Sequence, residues 1–427
     1  MAGYTDYLNL YYKNPSTDGA DTFNVQTMMN DNWEKIDEFA SMAGLAPAGN
    51  GFAFIRCKDA EGNPVSGCVC QIGSNVAITN TMGMSKFTLP GGVYTGTVTS
   101  PIDYGAGIQT VPVSVANSKE TIVDVQIPDT TGELNEIGIT TSAMLMFSSR
   151  VVNADAFLVG GGGSGGAAYA IIQYAYKNIE TSGSGGAGGK TTTLLGIDHS
   201  SLIDISIGAG GEAAIINEKR TNLEVGTINS INGNKGGTTT IKINGTIVGT
   251  AEGGDGGLGY ASRNATKEYH LGVSGAPGGS GSGGVLTAGG YKTPLVGDSG
   301  FDGSSGGDVT GDSVTASGGP GQETTTVPFN GDSAESARSP AGGSVGVSGV
   351  IIYGSVGNGG GAASGTHKDV SDSAGIDVSA SPGSVHGAGG GACCATMKGI
   401  ENSDYTYILK SGAGASGEVR FRWEVES

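Results

Sequence analysis

The sequence predicts a mainly β protein with a short N-terminal helix, a small β-sandwich, and a glycine-rich domain of packed polyglycine-II helices flanked by β-strands. Three observations predict this class. Apolar residues recur at helical spacing between residues 21 and 43, and alternating segments bounded by turn residues fill residues 51–128. Of the 81 glycines, 67 lie at or beyond Thr131. We therefore expect three parts, residues 1–48, 49–130 and 131–427.

The first part contains one amphipathic helix. Asp21 or Asn24 can cap its start, and its apolar residues keep to one face: Val25, Met28, Met29, Trp33, Ile36, Phe39 and Met42. No later segment offers a helix to cover this stripe, and a single helix of this length is unstable in water. Packing on the neighbouring domain is one alternative. We expect instead that oligomerisation or attachment to another protein uses Val25, Met29, Trp33, Ile36 and Phe39.

Residues 49–130 have the pattern of a sandwich of short strands. FAFIRC, CVCQI, VPVSVAN and ETIVDVQIP alternate between apolar and polar residues, and Pro-Gly-Gly supplies a turn within FTLPGGVYTGTV. In this order the segment resembles the carboxypeptidase-regulatory-like, transthyretin-like β-sandwich over nearly its whole length. The resemblance implies a rigid spacer or an accessory to carbohydrate adhesion, without catalytic residues.

The glycine runs of residues 131–427 are interpreted as an ordered core. A flexible Gly/Ser linker would leave apolar pieces such as LLGIDHSSLIDISI and SGVIIYG in water. Collagen needs glycine at every third position, and consecutive glycines break that pattern. A polyglycine-II helix has about three residues per turn and no internal hydrogen bonds, so neighbouring runs can pair their backbone groups. We therefore predict runs packed side by side, with strands at their edges.

The glycine-rich part also resembles a known family. The pieces FLVGGGGSGG, LIDISIGAGG, SINGNKGGTTTIKINGTIVGTAEGGDGG and GAGASGEVRFRW resemble the glycine-rich C-terminal domain of bacteriophage tail fibres. TFNVQTMMNDNWEKIDEFA is similar to the start of many tail-fibre and baseplate-attached proteins. These resemblances imply a homotrimer that joins baseplate or tail proteins through its N-terminus and binds a glycan or protein on the host surface. They imply a place in the virion tail, made in the host cytoplasm and acting outside the cell.

Recognition is expected in the polar and aromatic insertions between the runs, because glycine has no side chain to contact a ligand. Tyrosine offers a flat apolar face and a hydroxyl, which suit sugar rings and protein epitopes. The candidate receptor contacts are Tyr174, Tyr176, Tyr260, Tyr269, Tyr291, Phe301, Phe329, Tyr405 and Tyr407. Packing beneath the insertions is the alternative for each of them.

Charge and motifs argue against several other classes. The net charge is −18 and the basic residues are scattered, which disfavours nucleic acid and anionic membranes as partners. No stretch of about 18 apolar residues occurs, and the N-terminus lacks the basic start and apolar core of a signal peptide. The five cysteines lack zinc spacing and the four histidines fall in different segments, so we expect no metal and no cofactor.

No catalytic group is expected either. GSGGAG at residues 183–188 and SGGAGGKT at residues 184–191 approach nucleotide-binding motifs, but neither is followed by a helix pattern. We expect no enzymatic activity, although scattered Asp and Glu leave a polysaccharide-cleaving pair open. The sequence therefore predicts a tail fibre, or receptor-binding protein, of a phage or of a phage-tail-like particle. A capsule depolymerase and a bacterial surface adhesin are the alternatives.

Overall fold

The 427-residue chain forms a mainly β protein, as its sequence predicts. A computed structural model describes residues 3–4, 11–12, 32–36, 49–130, 135–172, 180–183, 185–186, 188–220, 228–262, 345–346, 353–357, 366–371, 375–384, 386–398 and 405–425. The chain divides into two compact units, Met1–Thr130 with Phe147–Ser149, and Thr131–Met146 with Arg150–Ser427.

The N-terminal residues contribute two short pieces of regular structure. Strands β1 (Gly3–Tyr4) and β2 (Tyr11–Tyr12) pair antiparallel. Residues 32–36 are helical, within the predicted helix, and Trp33 there is 60% exposed. Ile36 is half-buried, whereas Val25, Met29 and Phe39 lie outside the described residues.

The first unit contains a two-sheet sandwich. Its strands are β3 (Asn50–Lys58), β4 (Val69–Ile72), β5 (Asn75–Ile78), β6 (Met84–Pro90), β7 (Gly92–Thr99), β8 (Ile108–Val115) and β9 (Glu120–Gln126). One sheet has the order β6–β3–β9, and the other has the order β5–β4–β7–β8. Inward residues of both sheets form one apolar core, as the alternating sequence predicts. The sequence did not indicate β5.

Three cysteines of this unit lie in the sandwich core. Cys57, Cys68 and Cys70 are fully buried free thiols. Hydrogen bonding with Cys68 raises the pKa of the Cys57 thiol, and burial adds to the rise. Hydrogen bonding with Cys57, followed by burial, raises the pKa of the Cys70 thiol. These side chains therefore act as small apolar groups in the core.

The second unit begins with two four-stranded sheets, here named the entry sheets. Their strands are β10 (Glu136–Ile139), β11 (Ala143–Leu145), β12 (Val151–Val159), β15 (Thr191–Leu194), β16 (Ile203–Ser206), β19 (Thr239–Ile243), β20 (Thr246–Ala251) and β28 (Glu418–Val425). The orders are β10–β28–β12–β15 and β11–β16–β19–β20. The Glu136 carboxylate accepts bonds from Arg420 at 3.0 Å and Arg422 at 2.9 Å, which ties β10 to β28.

Three further sheets, here named the far sheets, lie at the other ends of the glycine runs. Their strands are β13 (Ala167–Ile172), β14 (Glu180–Gly183), β17 (Ile215–Arg220), β18 (Ile228–Ile231), β21 (Gly259–Ser262), β22 (Val345–Gly346), β23 (Tyr353–Gly357), β24 (Thr366–Ser371), β25 (Gly375–Ser379), β26 (Cys393–Lys398) and β27 (Tyr405–Lys410). The orders are β18–β13–β26–β24, β21–β14–β23–β22 and β17–β27–β25.

A bundle of glycine-rich runs joins the two layers of sheets. The central run, residues 160–166, leads from β12 to β13. Backbone hydrogen bonds connect it to six surrounding runs, residues 185–190, 208–211, 233–237, 252–257, 387–391 and 412–417. Around the ring, each run has the opposite chain direction to its two neighbours. A run either joins an entry sheet to a far sheet or follows a turn of the chain between the two layers of sheets.

The central run donates hydrogen bonds to its antiparallel neighbours and accepts them from its parallel neighbours. The Gly161 and Ser164 N–H groups donate to Gly237 and Asn234, both at 2.9 Å. The Gly161 and Ser164 carbonyls accept from Gly254 and Gly257, both at 2.8 Å. Bonds to the same neighbour recur every third residue, which is the periodicity of a polyglycine-II helix. The predicted packing of glycine runs is therefore present.

The surrounding runs also bond to one another and close a ring. The donor and acceptor pairs between successive runs are Gly186 to Gly390, Gly387 to Ser416, Gly414 to Gly211, Gly237 to Ala209, Gly236 to Gly254, and Lys190 to Glu252, with N···O distances of 2.7–2.9 Å. The central run is thus enclosed on every side by backbone. The amides of residues 160, 161, 162, 164 and 165 all donate to neighbouring runs inside the protein.

Candidate functional site

The glycine bundle holds the far sheets in place at one edge of the second unit. Val159 and Thr191 pair where β12 and β15 meet the bundle, and Ala167 and Cys393 pair where β13 and β26 leave it. Beyond the far sheets, connections of the chain begin and end at the strand ends that face away from the bundle. We take this edge, here named the far edge, as the candidate functional site.

The bundle can hold this edge because its interior excludes side chains. A Cβ on Gly161, Gly162 or Gly163 would lie 2.0–2.1 Å from a backbone carbonyl oxygen of a neighbouring run. These neighbours are backbone atoms that belong to three different runs. Every face of the central run is therefore closed to a methyl group.

Described side chains of the surrounding runs reach the protein surface. Ala209 and Lys235 are exposed, and the Lys235 ammonium lies 3.1 Å from Asp255 on the next run. The seam between residues 185–190 and 252–257 is closed by an ion pair of Lys190 with Glu252. Hydrogen bonding to Lys190 lowers the pKa of the Glu252 carboxyl.

A stacked tyrosine pair forms the core beneath the far edge. The rings of Tyr169 and Tyr407 lie parallel with centroids 5.0 Å apart, and both side chains are buried. The Tyr169 hydroxyl donates to the Glu218 carboxylate at 2.8 Å. The Asn229 amide donates to the other oxygen of that carboxylate. This network joins β13, β17, β18 and β27 into a rigid base for the connections.

One predicted receptor contact is wrong. Tyr407 has an exposed fraction of 0%, so its side chain serves the core and cannot reach a partner. In YTYILK, residues 407 and 409 share one face of β27 (Tyr405–Lys410), and Leu409 is buried as Tyr407 is. The alternation of apolar and polar residues along this strand predicts that Tyr407 is buried, and it is a stronger indication than the aromatic character of the residue.

The structure assigns only some of the other candidates. Tyr260 pairs with Ser182 on β21, and Tyr405 pairs with Arg220 on β27. Tyr174 and Tyr176 belong to residues 173–179, which follow β13 and lie outside the described residues. The remaining candidates, Tyr269, Tyr291, Phe301 and Phe329, also lie outside them.

The sequence suggested that the insertions between the runs are loops, but parts of them are strands. Residues 167–172 and 180–183 form β13 and β14, and residues 405–410 form β27. Each of these insertions starts or ends as a strand because its backbone groups continue the pairing begun in the bundle. The stacked pair and its Glu218 partner were not found from the sequence.

The described part of the chain offers neither a metal cluster nor a membrane-spanning helix. Its His, Cys, Asp and Glu residues form no group of three or more that could hold a metal ion. Among the same residues, no helix is both long enough and apolar enough to cross a bilayer.

Comparisons with known proteins give no family for this chain. No protein-family model and no curated protein matches it. Among solved structures, the Bacillus anthracis TIE protein is 10% identical, with 51% of this chain and 32% of that chain covered and a TM-score of 0.18. A DUF3823 family protein from Parabacteroides merdae ATCC 43184 is 10% identical, with 51% of this chain and all of that chain covered and a TM-score of 0.16. This chain thus spans about a third of the length of the first protein.

Proposed function

We propose that this chain is a tail fibre, or receptor-binding protein, that attaches a phage or a phage-tail-like particle to the surface of a bacterial host. The observation that carries the proposal is the enclosed glycine bundle with sheets at both ends. Such a bundle needs many glycines and leaves no interior space for a ligand. Its use is to hold the far edge, and the connections that leave it, in a fixed arrangement.

A feature of the first unit supports the attachment part of the proposal. Trp33, in the helical residues 32–36, is exposed, as expected if a partner covers the apolar face of the N-terminal helix. We propose that this stripe forms a homotrimer and joins baseplate or tail proteins. The host partner is a surface glycan or protein, and the sandwich acts as a spacer between attachment and recognition. The protein then acts in the virion tail, outside the cell, without catalysis, nucleic acid or membrane insertion.

Adsorption to host cells tests the proposal. In one variant Tyr174 and Tyr176 are both replaced by Ser, and in a matched control Leu223 and Val225 are both replaced by Ser. Both pairs lie in connections that leave the far edge, but only the first contains candidate contacts. We expect the tyrosine variant to bind host cells at least roughly thirtyfold more weakly, since loss of a binding hot spot costs about 2 kcal/mol or more. The control variant should bind as the unaltered chain does.

The same cells separate the alternatives. If the unaltered chain binds host and non-host cells equally, or fails to bind either, the attachment function is wrong. Release of oligosaccharides from purified host capsule would favour a depolymerase instead. Detection of the protein on bacteria that carry no phage particles would favour a surface adhesin.

A further inference from the structure

The first and last strands of the sandwich are neighbours that run in the same direction. β3 and β9 pair parallel at seven positions, from Phe52 with Glu120 to Lys58 with Gln126. β9 lies at the edge of the three-stranded sheet, next to β3. Because the two strands are parallel, the chain enters β3 at one end of this pair and leaves β9 at the opposite end.

Backbone hydrogen bonds close the β3–β9 pair at both of its ends. The Phe52 N–H donates to the Lys119 carbonyl at 2.9 Å, and the Ile127 N–H donates to the Lys58 carbonyl at 2.7 Å. Between these two bonds the ladder of a parallel pair is evenly spaced. The register therefore directs every second N–H of β9 to β3 and the others away from it.

Side chains add ties along the same pair. Arg56 on β3 donates to both carboxylate oxygens of Asp124 on β9, from Nε at 2.5 Å and from Nη2 at 2.8 Å. On the other face, Val125 and Ile127 are buried in the sandwich core. The last strand is therefore held by backbone bonds, an ion pair and apolar contacts.

Tension along the chain loads this pair in shear. A pull on the residues before β3 and after β9 acts on opposite ends of the two strands, so the strands must slide past one another. Sliding strains all bonds of the ladder together, whereas a pull on one end of an antiparallel pair breaks its bonds one after another. A backbone hydrogen bond contributes only about 0.5–1.5 kcal/mol, so several bonds that must fail together resist far more force than the same bonds in turn.

The second unit has the opposite arrangement. β10 is its first strand and β28 its last, and they pair antiparallel, with Glu136 opposite Arg422. β12 pairs antiparallel with the other side of β28, with Val151 opposite Val425. The starts of β10 and β12 and the end of β28 therefore lie at one end of this sheet. Tension that enters at either start and leaves at the end of β28 peels β28 away one pair at a time.

A second passage of the chain reaches the first unit at residues 147–149. The Ser148 N–H donates to the Asp103 carboxylate at 2.7 Å, and the Ser149 N–H donates to the Ser66 hydroxyl at 2.8 Å. Tension from the C-terminal side acts on this short segment before it acts on β9. Since the segment has three residues and the strand pair has seven paired positions, its release passes the tension on to β9.

We propose that the β3–β9 pair is a mechanical clamp that keeps the sandwich folded when the chain is under tension. Its use rests on the proposed function, because a fibre joined to a particle at one end and to a cell at the other carries tension. A spacer needs only a fixed length, whereas this pair adds resistance to one direction of pull. The clamp is a property of the first unit alone, so pulling and adsorption experiments can fail independently.

Single-molecule pulling of the full chain by its two termini tests the clamp. The released length identifies each unit, since unfolded chain extends by about 3.3–3.6 Å per residue and the second unit has more than twice as many residues as the first. We expect the second unit to unfold first and the first unit to need at least about twice the force, because its bonds fail together. A first unit that unfolds at the same or a lower force overturns the proposal.

Two proline variants test the ladder itself. Thr121→Pro removes an N–H that the register directs to β3, whereas Ile122→Pro removes the next N–H, which points away from β3. We expect Thr121→Pro to lower the unfolding force of the first unit by roughly a quarter or more, since it removes a donor from the ladder, and Ile122→Pro to leave that force unchanged. No loss in Thr121→Pro, or an equal loss in both variants, overturns the proposal. Melting temperatures show whether the variants fold, and the force comparison in the unaltered chain decides the question if Thr121→Pro does not.

Discussion

Single residues of the central run decide whether the bundle can form. Gly162 is the clearest case, because an added Cβ would lie 2.0 Å from the Ala388 carbonyl oxygen and 2.3 Å from its carbon. Both atoms are backbone, and hydrogen bonds on the neighbouring runs hold them in place. Neither side can move away without breaking pairs elsewhere. The glycines of this run are therefore required for space, and their low intrinsic propensity for strand is offset by backbone contact on every side.

We expect Gly162→Ala to destabilise the second unit by about 3 kcal/mol, because overpacking of a core typically costs about 1–3 kcal/mol and the backbone around Gly162 is closed on every side. Thermal or denaturant unfolding of the full chain, followed by a probe in the second unit, measures the loss. Ala209→Ser is the control, because Ala209 lies on a surrounding run and is exposed. A Gly162→Ala variant as stable as the control would contradict the close packing.

The buried thiols give a second prediction at this scale. Burial raises the pKa of the Cys393 thiol to about 12. The Cys57 and Cys70 thiols are raised as well. Since only a thiolate attacks, a thiol reagent at pH 8 should modify at most one of the five cysteines in the native chain, and all five in denaturant. Rapid modification of two or more native thiols would show that these cores are open.

The same pKa of Cys393 sets the direction of a pH effect. The folded-state value lies above the ordinary value of 9.0. The stability that comes from the neutral thiol is therefore complete below pH 9 and declines as the pH rises from 9 toward 12. Comparison of the unaltered chain with Cys393→Ala across this range isolates the contribution, which should vanish from the difference at the alkaline end.

At the scale of elements, the hydrogen bonding between the runs depends on their register. Bonds between the central run and each neighbour repeat every third residue, and Ser164 adds a side-chain bond, its Oγ accepting from the Asn234 N–H at 2.7 Å. One extra residue would turn all later residues of the run by about a third of a turn. Donors would then face donors across several runs at once. A strand pair can absorb such a residue as a bulge, but an enclosed run cannot.

Insertion of one glycine after Gly162 should therefore abolish cooperative unfolding of the second unit. Insertion of one glycine after Gly245 is the control, since that residue lies in the hairpin between β19 and β20 with no atom within 4 Å of an added Cβ. Calorimetry of the full chain compares the two. A transition that survives the first insertion as well as the second would mean that the register is not fixed.

For the whole molecule, the sequence predicted the fold class and the ordered runs, because apolar pieces alternate with glycine throughout residues 131–427. It did not predict the ring of six around one, since each run looks alike in isolation. One signal was available: residues 160–166 consist of six glycines and one serine, and none of the six surrounding runs has as many glycines. The surrounding runs include Lys235 and Asp255 because one of their faces is free.

The candidate site was predicted less well, for a related reason. Recognition was assigned by residue type, and aromatic residues in strands are more often buried than free. Tyr407 was therefore misplaced, and its stacking partner Tyr169 and the Glu218 carboxylate were missed. Their association depends on pairing between strands far apart in sequence, which local patterns do not encode.

Amide hydrogen exchange of the full chain tests the central claim most directly, because it measures whether the backbone of residues 160–166 is enclosed. If the central run is hydrogen-bonded to six neighbours, its amides should exchange only with global unfolding of the second unit, as slowly as those of β12 and β28. If these amides exchange at the rate of an unfolded peptide while the two strands stay protected, the glycine bundle does not exist in solution.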